Sequence, residues 1–291
     1  MKKLLILLSA AVLTACNPLA KLPGLQENAT NAFDNGNYEK AYTLYAEYIN
    51  LANDNNAILD ESILINQAHT CAKLDKIDEA ASLYDQLLQD ENNIDLLIDY
   101  AQMLQDAGRE DAELKLWNEQ ADKIKEAKLQ SLKTERLIAL NAIQENHNAV
   151  IEVFENKGDV SVTKEAHLAY VNALSGIEKE VEAAKACNDL LKTHPNYQDA
   201  LEWKAKYYYN KAEERYKYEM AKYNKNKNAT SYAYLRRDLK KISVHYRIAR
   251  DTFIKLHEMD PSNRAYMKYL KNVYLRLDQN KEAAQMDKLL K

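Results

Sequence analysis

The chain has few backbone breakers: five glycines and four prolines in 291 residues. Long stretches are therefore free to run as uninterrupted helix. No stretch alternates apolar and polar residues convincingly, so no sheet is expected. Cysteine is equally scarce, with only Cys16, Cys71 and Cys187. That excludes a disulfide framework. The apolar run Leu4 to Leu13 falls far short of the roughly 20 residues that span a bilayer. Motifs that carry chemistry are missing too. The histidines His69, His147, His167, His194, His245 and His257 are scattered, and none pairs with another at ligand spacing. There is no HExxH, no glycine-rich phosphate loop and no GxSxG elbow. The acidic pairs Asp78-Glu79 and Glu110-Asp111 fall at expected helix starts, where negative charge favours the helix dipole. No catalytic residue, metal or cofactor is assigned, and the chain is expected not to be an enzyme.

What is present is a repeat. Ala29 and Ala32 share one face of a short helix, Asn35-Gly36-Asn37 breaks it, and Tyr38, Ala41, Tyr45 and Tyr48 line a second helix. The pattern returns as Ala68 and Cys71, a turn at Leu74-Asp75-Lys76, then Ala80 and Tyr84. It returns again as Ala101 and Leu104, a turn at Ala107-Gly108-Arg109, then Ala112 and Leu116. A worn fourth copy turns at Glu145-Asn146-His147. In the fifth, Ser175-Gly176 precedes Ala183, Cys187 and Leu190, with Pro195 closing; a sixth closes on Pro261. Both prolines are expected in the first turn of the next helix, where the missing N–H costs nothing. Cys71 and Cys187 sit at core positions of units too far apart to touch, so both read as small buried apolar residues.

These marks resemble the tetratricopeptide repeat, a helix-turn-helix unit of about 34 residues. The resemblance covers roughly residues 25–291; the alternative is a helical solenoid of another repeat type. It implies an all-α chain, a solenoid of helical hairpins wound as a right-handed superhelix. Residues 25–196 hold five copies and 260–291 a last one.

The start of the chain gives an address. Met1-Lys2-Lys3 and the short apolar run read as a secretory signal over residues 1–15. Leu13-Thr14-Ala15-Cys16 resembles the bacterial lipobox, which implies acylation of Cys16 and membrane attachment by lipid. The alternative is an ordinary signal with a chance cysteine. Asn17, in place of the usual aspartate retention signal, implies outer-membrane sorting, and the periplasm-facing leaflet is expected. Residues 16–24 read as a tether.

One region departs from the period. Ala183 to Ala249 is 66 residues where one repeat would give about 34, and no turn signal appears from Asp199 to Tyr223. Leu201, Ala205, Tyr208, Ala212, Tyr216, Met220 and Tyr223 form one helical stripe, and Leu235 to Leu256 form a heptad seam. Residues 197–259 are therefore expected as one elongated antiparallel hairpin; two ordinary repeats with a missed turn is the rival. Charge separates at the same place. Residues 17–201 hold 16 Lys+Arg against 33 Asp+Glu, whereas 202–255 hold 15 against 6.

The expected function is a lipid-anchored scaffold for protein–protein contact in the cell envelope, with other envelope proteins as partners and no nucleic acid or small-molecule substrate. By type it is similar to repeat lipoproteins that assist outer-membrane β-barrel assembly, and to pilotin-like lipoproteins. In tetratricopeptide proteins the concave surface is built mainly by the first helices. Carried onto this sequence, that implies Gln26, Thr30, His69, Lys73, Gln102 and Asp106 as partner-binding residues. The basic hairpin adds Arg236, Arg237 and Lys240. A structural tether, binding peptidoglycan or anionic lipid through that hairpin, is the alternative. A merely solvated lysine face with tyrosines as packing would need no function.

Overall fold

In the computed structural model, residues 18–90, 93–120 and 127–291 are described, and helices make up most of them. They pair in chain order: α1 (Leu22–Asp34) with α2 (Tyr38–Asp54), α3 (Glu61–Lys73) with α4 (Ile77–Asp90), and α5 (Ile94–Asp106) with α6 (Glu110–Glu119). Next come α7 (Ala127–Ile143) with α8 (His147–Glu155), and α9 (Lys164–Gly176) with α10 (Glu180–Thr193). Last are α11 (Gln198–Lys225) with α12 (Ala229–Met259), and α13 (Arg264–Arg276) with α14 (Asn280–Leu289). No strand occurs among the described residues. The helices fall into two compact units, α1–α6 and α7–α14. The expected signal peptide and Cys16 lie outside the described residues.

Six of the seven hairpins close on one turn. The first helix ends, three residues follow, and the middle one is left-handed: Gly36 (φ 74°), Asp75 (59°), Gly108 (62°), Glu145 (55°), Glu178 (62°) and Asp278 (58°). The N–H groups of Asn37, Lys76, Arg109, Asn146, Lys179 and Gln279 each donate to the carbonyl five residues earlier, at 2.8–2.9 Å. The left-handed residue donates to the carbonyl three before it in every case. This is the Schellman arrangement, which satisfies carbonyls that a helix end would otherwise orphan.

Four sequence expectations are corrected here. Gly176 is not the turn of the fifth copy. It is the last residue of α9, and the turn is Ile177-Glu178-Lys179. Its missing side chain serves packing instead: a Cβ there would lie 2.5 Å from Nε2 of His147. His147 in turn is the first residue of α8, not part of the fourth turn. Pro195 and Pro261 lie in the turns before α11 and α13, outside their first helical turns. Each follows a C-cap residue, His194 (φ −127°, ψ 70°) or Asp260 (φ −137°, ψ 85°), that has left the helical region, which a following proline disfavours. Finally, residues 18–24, expected as part of a tether, are helical: a 3-10 turn covers Pro18–Lys21 and α1 begins at Leu22. Pro23 is tolerated there because first-turn N–H groups have no helical partner.

Small residues set the helix spacing and large ones fill it. Ala29, Ala32 and Ala41 are buried against Tyr45, Tyr48 and Ile63 in the first unit. Ala183, Ala186 and Cys187 do the same with Val150, Leu174 and Leu190 in the second. Cys71 and Cys187 are free thiols, each 1 % exposed. Burial pushes Cys71 up to about 11 and Cys187 up to about 12. The thiolate is the reactive form. Neither cysteine should therefore react with a thiol reagent at mildly alkaline pH until the chain is unfolded. Rapid labelling of either in the native protein would contradict this packing.

The remaining hairpin is different. Helices α11 and α12 run 28 and 31 residues without a break, which is roughly 40 Å or more at 1.5 Å per residue. Their connection is closed by a capping box, with Asn228 Oδ1 accepting from the Ser231 N–H at 2.8 Å and Ser231 Oγ accepting from the Asn228 N–H at 3.0 Å. The seam buries Leu201, Ala205 and Ala212 against Ile242, Tyr246 and Ala249. Near the base, Phe253 and Leu256 join Tyr266, Leu270 and Val273 of α13 in the same core. Three helices are also tied by charge. Glu213 of α11 accepts from Tyr246 of α12 at 2.8 Å and from Arg276 of α13 at 2.7 and 3.1 Å.

Candidate functional site

A groove of about 540 Å³ opens on the first unit, built by consecutive first helices. Helix α3 lends His69, Ala72 and Lys73, which lie on one face because they are three and four residues apart. Helix α5 lends Asp99, Gln102, Met103 and Asp106 at the same spacing. Asp75 and Ile77 come from the turn and start of α4, Tyr84 from its interior, and Phe33 from the end of α1. Half of the lining is apolar or aromatic, and the polar half holds three aspartates against one lysine.

Local bonds fix this geometry. Tyr84 stacks on Tyr100 with ring centroids 4.9 Å apart and planes 7° apart. Burial, then the charge of Asp99, pushes the Tyr84 phenol above its ordinary range, so it stays neutral. His69 Nε2 lies 3.6 Å from Asp99 Oδ2. Gln102 donates to Asp106 at 2.7 Å, an i to i+4 pair that holds both on the rim. A histidine beside an aspartate invites comparison with a catalytic dyad, yet no serine, threonine or cysteine lines the groove. Among the described residues no group of three or more His, Cys, Asp or Glu could hold a metal ion. The arrangement is suited to recognition: apolar lining for one or two side chains, with carboxylates beside it.

The structure thus brings together His69, Lys73, Gln102 and Asp106. Gln26 and Thr30 do not line the groove. Thr30 Oγ1 lies 3.2 Å from the Tyr45 hydroxyl and is engaged in the α1–α2 seam. Asp99, Met103 and Tyr84 are additions to the sequence set. Asp99 could have been found, since it precedes Gln102 by three residues on the same face. Arg236, Arg237 and Lys240 are exposed on α12 of the second unit. Arg237 pairs with Asp238 at 3.2 Å, and its guanidinium lies over the Tyr234 ring at 5.3 Å.

No family model matches the chain, and no curated protein matches it. Solved structures do. A Bacteroides ovatus protein proposed to bind protein aligns with a TM-score of 0.51 and 16 % identity, over 76 % of this chain and 99 % of its own. The C-terminal part of a tetratricopeptide-containing protein from Cytophaga hutchinsonii aligns at 0.46 and 14 %, over 84 % and 99 %. A tetratricopeptide protein from Parabacteroides merdae aligns at 0.40 and 18 %, over 87 % and 99 %. Identities this low speak to the fold alone.

Proposed function

We propose that this chain, whose fold is all-α and tetratricopeptide-like, is a non-enzymatic scaffold that docks partner proteins in the α3–α5 groove. The observation that carries the proposal is the groove itself, where four polar residues from two successive first helices share the lining with apolar side chains. Charge says what fits. Residues 18–120 hold 6 Lys+Arg against 20 Asp+Glu. A segment with one apolar anchor flanked by lysine or arginine would place its anchor on Tyr84 and Met103 and its cations at Asp99 and Asp106. These rim contacts are exposed, so they steer and orient more than they hold.

The proposed place of action is the cell envelope. The lipobox-like Leu13-Thr14-Ala15-Cys16 supports acylation of Cys16, and Asn17 supports the outer membrane with the periplasm-facing leaflet. Two experiments separate the parts. In cells, Cys16→Ser should abolish fatty-acid labelling and membrane fractionation; unchanged labelling would contradict the anchor. Crosslinking in intact cells with mass spectrometry should join wild type to an envelope protein. Asp99→Lys with Asp106→Lys should lose that crosslink while the chain stays folded and membrane-bound. Persistence of the same crosslinks would contradict the groove.

A further inference from the structure

The distal half of the α11–α12 hairpin is a cationic surface with no exposed carboxylate. Residues 215–241 contain nine Lys+Arg and two acids, Glu219 and Asp238. Both acids are nearly buried, at 3 % and 8 % exposed. They are also spent locally, Glu219 on Arg215 and Asp238 on Arg237 and Lys241. Lys222, Lys225, Lys227, Arg236 and Lys240 have no ion-pair partner among the described residues. Interspersed with them are three tyrosines more than half exposed, Tyr218, Tyr232 and Tyr234. The ring contacts of these tyrosines stay within the hairpin.

We propose that this tip binds the anionic headgroups of a phospholipid surface. The distribution of charge favours that partner over a protein. A specific protein interface has an apolar core from which charge is depleted. Here the unpaired cations lie on both helices and the connecting tip, and the exposed residues between them are tyrosines and small or uncharged polar residues such as Asn224, Asn226 and Thr230. A diffuse negative surface can be met by such an array in several orientations. Flexible lysines reach headgroup phosphates, and tyrosines sit with the ring toward the acyl boundary and the hydroxyl in water. No apolar spanning element is needed, and no helix among the described residues is long and apolar enough to cross a membrane. The inference is independent of the groove and of acylation at Cys16.

The test uses the full chain carrying Cys16→Ser, so that lipid at that position cannot contribute. It is mixed with vesicles of phosphatidylcholine, with and without phosphatidylglycerol, and bound protein is measured by co-sedimentation. Binding should require the anionic lipid and should fall steeply as salt shortens the screening length. Replacing Lys222, Lys225, Lys227, Arg236 and Lys240 together by glutamine should weaken it at least about a hundred-fold. Replacing the four lysines by arginine should preserve it. All five positions are exposed, so circular dichroism and thermal midpoint should match wild type in both variants. Equal binding without anionic lipid, or undiminished binding by the glutamine variant, would overturn the proposal. Tighter binding to duplex DNA than to the anionic vesicles would overturn it in favour of nucleic acid.

Discussion

Phe253→Ala is expected to destabilise the second unit by about 3–5 kcal/mol. Phe253 is fully buried at the base of the long hairpin. Its ring stacks on Tyr269 of α13 with centroids 4.6 Å apart and planes 9° apart, and Tyr266 lies 6.5 Å away. The substitution removes the ring and leaves a cavity where α12 meets α13. Neighbours held by their own bonds cannot collapse to fill it: Tyr266 is tied to Gln198 at 3.0 Å and to Glu202. Val244→Ala, on the exposed side of the same helix, should change stability by less than about 0.5 kcal/mol. Urea unfolding followed by circular dichroism measures both. A Phe253→Ala loss below about 1 kcal/mol would mean that α13 and α14 do not depend on this contact.

Glu213→Ala should cost about 2–3 kcal/mol, because it strands two partners at once. Tyr246 is 2 % exposed and would lose its acceptor. Arg276 would keep only its place over the Tyr216 ring, at 4.0 Å. The arginine side chain is 35 % exposed, so the estimate stays at the lower end of the range for buried pairs. The same residue gives a pH dependence. Burial alone would raise the Glu213 carboxyl, but hydrogen bonds from Arg276 and Tyr246 outweigh it and hold the group below the ordinary 4.5. A carboxylate depressed on folding stabilises fully above its unfolded value and loses that contribution as pH falls through its folded value. The urea midpoint of wild type should therefore drop as pH falls through and below about 4.5, after a shallower decline that begins near pH 6.5, where the half-buried His167 and His245 are held low. Glu213→Gln should flatten part of the fall. Asp189, Glu202, Asp238, Asp260 and Asp287, also held low by partners, contribute to the rest. An unchanged acid slope in Glu213→Gln would contradict the assignment.

The hairpin turns were legible where glycine marked them, as at Gly36 and Gly108, and Leu74-Asp75-Lys76 was placed from the repeat period alone. The left-handed position there holds Asp75, and elsewhere Glu145, Glu178 or Asp278. For a residue with a Cβ that conformation costs about 1–2 kcal/mol, so composition does not mark it, and the bounds at Glu145 and Glu178 were misplaced. Gly176 misled for the converse reason, since it makes room for His147 within a helix. In the groove, His69, Lys73, Gln102 and Asp106 were readable because helical spacing puts them on one face. Tyr84 was not, because it lies in a second helix and reads as core from its period. Thr30 had the right spacing, but its hydroxyl is engaged by Tyr45. The buried acids of the long hairpin were invisible to pattern. Glu219 and Asp238 count as solvent-facing charge until Arg215 and Arg237 are seen beside them.

The scaffold reading is tested most directly by placing one photoreactive amino acid at a time in the full chain and irradiating intact cells. Gln102 in the groove and Lys240 on the hairpin tip are the two positions to compare. A protein crosslink from Gln102 that is lost with Asp99→Lys and Asp106→Lys, with none of comparable yield from Lys240, is the expected result. Protein crosslinks from Lys240 and none from Gln102 would contradict it, and would make the hairpin the docking element.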